Sequence, residues 1–152
     1  MHEPLRILIV EDEAILLMQL EAMFEDGGHL VVGTAMSSVE AIEVARQTKP
    51  DIAIVDIHLL DGSSGMDVAR HLRASGETLV VFVTANAKKV PDDYEGAIGL
   101  ISKPYSQAGM TAAIKYLDEC LRRPPPQQAL PQEFKLAPAY LQHLQDLECK
   151  NH

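Results

Sequence analysis

The sequence predicts an α/β fold built on a doubly wound parallel sheet, and three observations carry that expectation. Apolar runs recur without polar alternation, as in Ile52-Ala53-Ile54-Val55, so both faces of such a strand should be covered, as they are in parallel sheets. Between the runs lie stretches with apolar residues at helical spacing, so strands and helices alternate along the chain. The runs also end in residues that carry chemistry: Glu11-Asp12 after Leu5 to Val10, Asp56 after Val55, Thr84 after Leu79 to Val83, and Lys103 after Ala97 to Ser102. In a doubly wound sheet the carboxyl ends of parallel strands share one edge, so several acids, a hydroxyl and an ammonium should converge there.

In chain order, Leu5 to Val10 is the first strand. Glu13 to Asp26 carries Ile15, Leu16, Leu17, Leu20, Met23 and Phe24 on a helix stopped by Gly27-Gly28, with Met23 assigned to the core. Leu30 to Thr34 is a short strand. Ser37 and Glu40 have capping-box spacing, and Val39, Ile42 and Ala45 supply the inner face of a helix running to about Gln47, before Pro50. After the Asp56 strand, Gly65 to Ala74 reads as a helix with Met66, Val68, Ala69 and Leu72 inside and Ser75-Gly76 as its stop. Only eighteen residues separate Thr84 from Lys103 and Pro91 is among them, so any helix there is short and could begin near Pro91. Ser106 caps a stronger helix, in which Met110, Ala113, Ile114, Leu117 and Leu121 recur at helical spacing as far as Arg123.

At 152 residues the chain allows one domain of ordinary size plus an appendage. Pro124-Pro125-Pro126-Gln127-Gln128 cannot continue the preceding helix and reads as extended polyproline. The expected division is therefore a domain over residues 1–123, a linker over 124–135 and a tail over 136–152. Within the tail, Leu136 to Cys149 can form one amphipathic helix with Tyr140, Leu141, Leu144 and Leu147 on a stripe, and a lone helix must pack on the body, a second copy or a partner.

A formal net charge of −9 with no basic run argues against general nucleic-acid or anionic-membrane binding. Cys120 and Cys149 have no partner at metal-ligand spacing and read as reduced thiols; with no signal peptide and no run of membrane-spanning length, the expected location is the cytoplasm. His2, His29, His71, His143 and His152 read as surface polar residues.

Crowded carboxylates need a cation, and oxygen-only ligands suit magnesium or manganese. The acid pair Glu11-Asp12, then Asp56, Thr84 and Lys103-Pro104, in that order on alternating segments, resembles a response-regulator receiver domain of two-component signalling over about Leu5 to Arg123. The resemblance implies a flavodoxin-like, five-stranded sheet with Asp56 as phosphoacceptor. It also implies that Asp12 and Asp56, with Glu11 through water and the backbone carbonyl of His58, hold the magnesium, while Thr84 and Lys103 meet the phosphoryl oxygens. The chemistry agrees, because an attacking carboxylate needs positive charge around the incoming group. His58 and Asn86 stand where the family tunes phosphoryl lifetime, and Tyr105 is expected to pack beside the site.

Three departures stand out: Leu100 where the switch aromatic is usual, a loop after Asp56 with Leu60 where proline is common and one more residue before Gly65, and the short stretch from Thr84 to Lys103 that reduces the fourth helix. The last two resemble an atypical subgroup of single-domain receivers. The expected function is a phosphoacceptor served by a sensor histidine kinase or phosphotransfer protein. Such a chain would not be a classical enzyme and would have no DNA-binding output domain; it would act through an unknown downstream protein, with a homodimer through the tail as one arrangement. A haloacid-dehalogenase-like phosphohydrolase would need a second Asp where His58 stands. A dinucleotide-binding module lacks its glycine-rich loop, and a pseudo-receiver is disfavoured because every expected position is filled.

Overall fold

The computed structural model describes residues 3–59, 62 and 64–150. His2, His152, Leu60 and its neighbour Asp61 lie outside the described residues, so the loop departure at Leu60 has no structural counterpart here. Strands β1 (Arg6–Val10), β2 (Leu30–Ala35), β3 (Ile52–Asp56), β4 (Leu79–Thr84), β5 (Gly99–Ser102) and β6 (Phe134–Leu136) form one sheet in the order β2-β1-β3-β4-β5-β6. The first five are parallel; β6 runs antiparallel on β5. Helices α1 (Ala14–Asp26), α2 (Ser38–Thr48), α3 (Gly65–Ser75), α4 (Gln107–Arg122) and α5 (Pro138–Lys150) complete the chain. The α/β, doubly wound, flavodoxin-like architecture is as the sequence predicts, and the sheet gains a sixth strand.

Strand periodicity divides the interior into two cores. Ile7, Ile9, Ile52, Ile54, Val81 and Val83 pack with Leu20 and Phe24 of α1 and with Met110, Ile114 and Leu117 of α4. The alternate residues Leu8, Val10, Ala53, Val55, Val80 and Phe82 pack with Ala41 and Ala45 of α2 and Val68 and Leu72 of α3. Both faces are thus covered, which is why the strands read as unbroken apolar runs.

Helix ends follow local chemistry. Ser37, Ser64 and Ser106 each accept a backbone N–H at the start of α2, α3 and α4. Gly76 stops α3 in the left-handed conformation, at φ 69°. Between β4 and β5 the reduced fourth helix is two single 3-10 turns, Ala87–Lys89 and Tyr94–Gly96. Tyr94, Glu95 and Gly96 have φ of 53°, 48° and 86°, so this stretch cannot run on as a right-handed helix.

Three expectations about helix faces are corrected. Ile15 and Val39, placed on inner faces, are 73% and 78% exposed, and Leu141 of the tail stripe is 43% exposed. The buried residues of α2 are Ser38, Ala41 and Ala45, which share a face that Val39 is turned away from.

The tail forms a strap across the body. Phe134, inside the stretch read as linker, pairs with Ile101, Lys135 pairs with Leu100 and Leu136 with Gly99, and the Ala137 N–H extends the ladder to the Ile98 carbonyl at 2.8 Å. The unpaired edge of β5 is thereby closed. A three-residue strand is too short for a periodic signal, which is why it was legible only as a linker. Beyond it, α5 lays Leu144, with Tyr140 and Leu147 beside it, against the first core.

Candidate functional site

The carboxyl ends of β1, β3, β4 and β5 are level because their registers match: Val10 lies beside Val55, Asp56 beside Val83, and Thr84 beside Ser102. Asp56 is the last residue of β3 and is buried, its side chain 9% exposed. Glu11 follows β1, held by its N–H donating to the Ala35 carbonyl at 2.9 Å. Lys103 follows β5, and its N–H donates to the Thr84 carbonyl at 2.8 Å. From there its ammonium reaches Asp56 Oδ2 at 3.0 Å and Glu11 Oε1 at 3.2 Å. The His58 N–H donates to Asp56 Oδ1 at 3.0 Å, so both oxygens of the Asp56 carboxylate accept hydrogen bonds. Thr84 is buried and its Oγ1 accepts the Asn86 N–H at 3.0 Å, which leaves the hydroxyl hydrogen to donate elsewhere.

Burial drives the electrostatics. Desolvation, then the hydrogen bond to Asp56 and its charge, push the Glu11 carboxyl up to about 8, with Lys103 opposing them. Burial pulls the Lys103 ammonium down, but its contacts with Asp56 and Glu11 outweigh that and hold it above its ordinary value. The site is therefore short of positive charge. Two observations fit a divalent cation. Carboxylate oxygens of Glu11, Asp12 and Asp56 lie within 4.8 Å of one another. Glu11 Oε2 is buried without a hydrogen-bond partner among the described residues. An all-oxygen donor set of this kind suits magnesium or manganese.

The structure brings together Glu11, Asp12, Asp56, Thr84 and Lys103. His58 joins them through its backbone, while its side chain is exposed; Asn86 uses its side chain to cap the turn that follows, accepting the Lys88 N–H at 3.2 Å. Tyr105 is half-buried beside Lys103, and burial holds its hydroxyl above the ordinary value. Gly65 was legible only as a helix start. A Cβ there would meet the Asp56 backbone and the Val55 side chain, so the glycine lets α3 begin against the residue that carries the buried carboxylate. His29 is also corrected: it is half-buried rather than a surface residue, and its Nδ1 accepts the Leu5 N–H at 3.4 Å.

Comparison with known proteins agrees with this geometry. The phyllosphere-induced regulator PhyR of Methylorubrum extorquens is 39% identical over 110 residues, covering 71% of this chain and 41% of its own, so the match spans well under half of that relative. The solution structure of the PhyR receiver domain from Erythrobacter litoralis superposes with a TM-score of 0.66 at 28% identity, over 84% of this chain and 97% of that one. A two-component response regulator from Aurantimonas shares the fold over 97% of this chain and 99% of its own, with a TM-score of 0.68 at 23% identity. The response regulator receiver domain model matches residues 7–115, where all the converging side chains lie. The chain belongs to the receiver-domain family of two-component response regulators.

Proposed function

We propose that the chain accepts a phosphoryl group on Asp56 from a phosphohistidine of a sensor kinase or phosphotransfer protein, and signals by protein contact or by passing the group on. The observation that carries this reading is the buried Asp56 carboxylate with the Lys103 ammonium 3.0 Å away. In the transfer, an Asp56 oxygen forms the new O–P bond as the donor's N–P bond breaks, and the donor nitrogen leaves with the bonding pair. Lys103 stands ready to bond a phosphoryl oxygen, and the Thr84 hydroxyl has its hydrogen available for another. Glu11, Asp12, Asp56 and the His58 carbonyl would hold magnesium or manganese, which supplies positive charge opposite the phosphoryl oxygens.

This chemistry belongs to the domain read as residues 1–123, against which β6 and α5 pack. The partners are the phosphoryl donor and a downstream protein in the cytoplasm; the net charge of −9 does not favour nucleic acid or anionic lipid. Incubation with acetyl phosphate and magnesium should add one phosphoryl group by intact mass. Labelling of Asp56→Asn to the wild-type extent would show that another residue is the acceptor.

A further inference from the structure

Two glycines of the body stand where the strap lies. A Cβ on Gly99 would meet the Lys135 carbonyl oxygen at 2.5 Å and the Phe134 ring at 2.9 Å, and one on Gly109 would collide with the Glu133 carboxylate. Gly109 lies in the first turn of α4, where glycine weakens a helix, so its use there answers to the strap rather than to the helix. Phe134 fills the room at Gly99: it is 1% exposed, with its ring centroid 6.0 Å from that of Tyr116.

Glu133 makes the polar half of this junction. Its Oε2 accepts the Ser106 N–H at 3.1 Å and its Oε1 accepts the Ser106 hydroxyl at 2.9 Å, while Ser106 Oγ accepts the Gly109 N–H at 2.9 Å. A carboxylate is thus seated at the positive end of α4. Ser106 is separated from Lys103 only by Pro104 and Tyr105. One end of this short segment is fixed by the bond from the Lys103 N–H to Thr84, and the other by Glu133.

We propose that Glu133 is a positioning residue for Lys103, so that docking of the β6–α5 strap and phosphoryl occupancy of Asp56 are coupled through the Lys103 to Ser106 segment. The proposal rests on the reading of Asp56 as phosphoacceptor. Lys103 must exchange its bonds to Asp56 and Glu11 for bonds to the phosphoryl group, and that shift is passed along the segment to Ser106 and Glu133. Leu100, 2% exposed within the second core, offers no swinging aromatic, whereas the strap is bonded at Ser106 to the short segment that begins with Lys103. Coupling of this kind is reciprocal.

The test uses the full chain with acetyl phosphate and magnesium. Glu133→Ala and Gly109→Ala should each slow Asp56 phosphorylation roughly fivefold, and Glu133→Gln, which keeps an acceptor oxygen for Ser106, should recover part of the rate. In the reverse direction, beryllofluoride bound at Asp56 should change amide hydrogen exchange at Ser106 and Phe134, an effect absent from Asp56→Asn. Where Glu133→Ala does not fold, Gly109→Ala and the beryllofluoride measurement on wild type decide the matter. Wild-type rates in the folded variants, or strap exchange indifferent to beryllofluoride, overturn the coupling. A wild-type chain that takes no phosphoryl group overturns the phosphoacceptor reading and the coupling with it, whereas normal labelling of wild type beside unaffected variants overturns the coupling alone.

Discussion

Asp12 contributes to the acidic cluster from a half-buried position beside the buried Glu11 and Asp56. Removing a ligand should cost at least the roughly tenfold in affinity that loss of a supporting partner costs, so Asp12→Ala should bind magnesium at least that much more weakly in calorimetric titration. Affinity equal to wild type would remove Asp12 from the ligand set. His29 makes a different kind of prediction. Burial, with Arg122 adding to it and Asp118 opposing, holds its imidazole below the ordinary value of 6.5, and Nδ1 must stay unprotonated to accept from Leu5. A depressed folded value means that the unfolded chain binds the proton more readily. The stabilisation is therefore fully present above pH 6.5 and is lost as pH falls towards the folded value. Thermal midpoints should drop more steeply with acid in wild type than in His29→Gln, and parallel slopes would refute the assignment. These residues differ in how far the sequence exposes them. Glu11, Asp56, Thr84 and Lys103 are legible because each follows an apolar run that must end at the shared sheet edge. His29 is not, because the Leu5 N–H it accepts and the Asp118 and Arg122 charges that act on it are remote in the chain.

Among the elements, the five parallel strands, the helix positions and the inner faces of α3 and α4 were readable, while the faces of α1, α2 and α5 were readable only in part. Tyr140, Leu144 and Leu147 recur at the spacing of one helical face, and Leu141 lies about 100° round from Tyr140; four apolar residues in a row of candidates do not say which three pack. The same displacement separates exposed Val39 from buried Ser38 in α2, and Ile15 is exposed although it is as apolar as buried Leu20 on the same helix. The structural distinction in α5 is measurable. Leu144, at 5% exposure, should cost about 2–5 kcal/mol when changed to alanine, with faster amide exchange along α5. Leu141→Ala, at a 43% exposed position, should stay within about 0.5 kcal/mol. Equal losses in urea or thermal unfolding would mean that α5 does not dock through the Leu144 face.

For the whole molecule, the strap is both core and cover. Truncation after Arg123 removes Phe134 and Leu144 from the first core and bares the N–H and C=O groups of β5. The shortened chain should melt at lower temperature and self-associate in light scattering; a monomeric product with an unchanged midpoint would show that the strap adds nothing to either. The flavodoxin-like body was legible because alternating apolar segments must form two covered layers. The sixth strand was hidden because its pairing joins segments far apart in sequence, and a proline run between them reads locally as a spacer. That same separation gives the closing strand a date. The ribosome adds roughly 5–20 residues per second, and β6 follows β5 only after α4 and the proline run have been made. A growing chain therefore carries an open sheet edge for a second or more after its last parallel strand is complete, and a product cut short within the prolines keeps that edge for life. Lys135, exposed in the middle of the short β6, then serves the finished molecule in another way: it leaves the outer rim of the sheet charged, so that the strand which ends the pairing does not invite the next one.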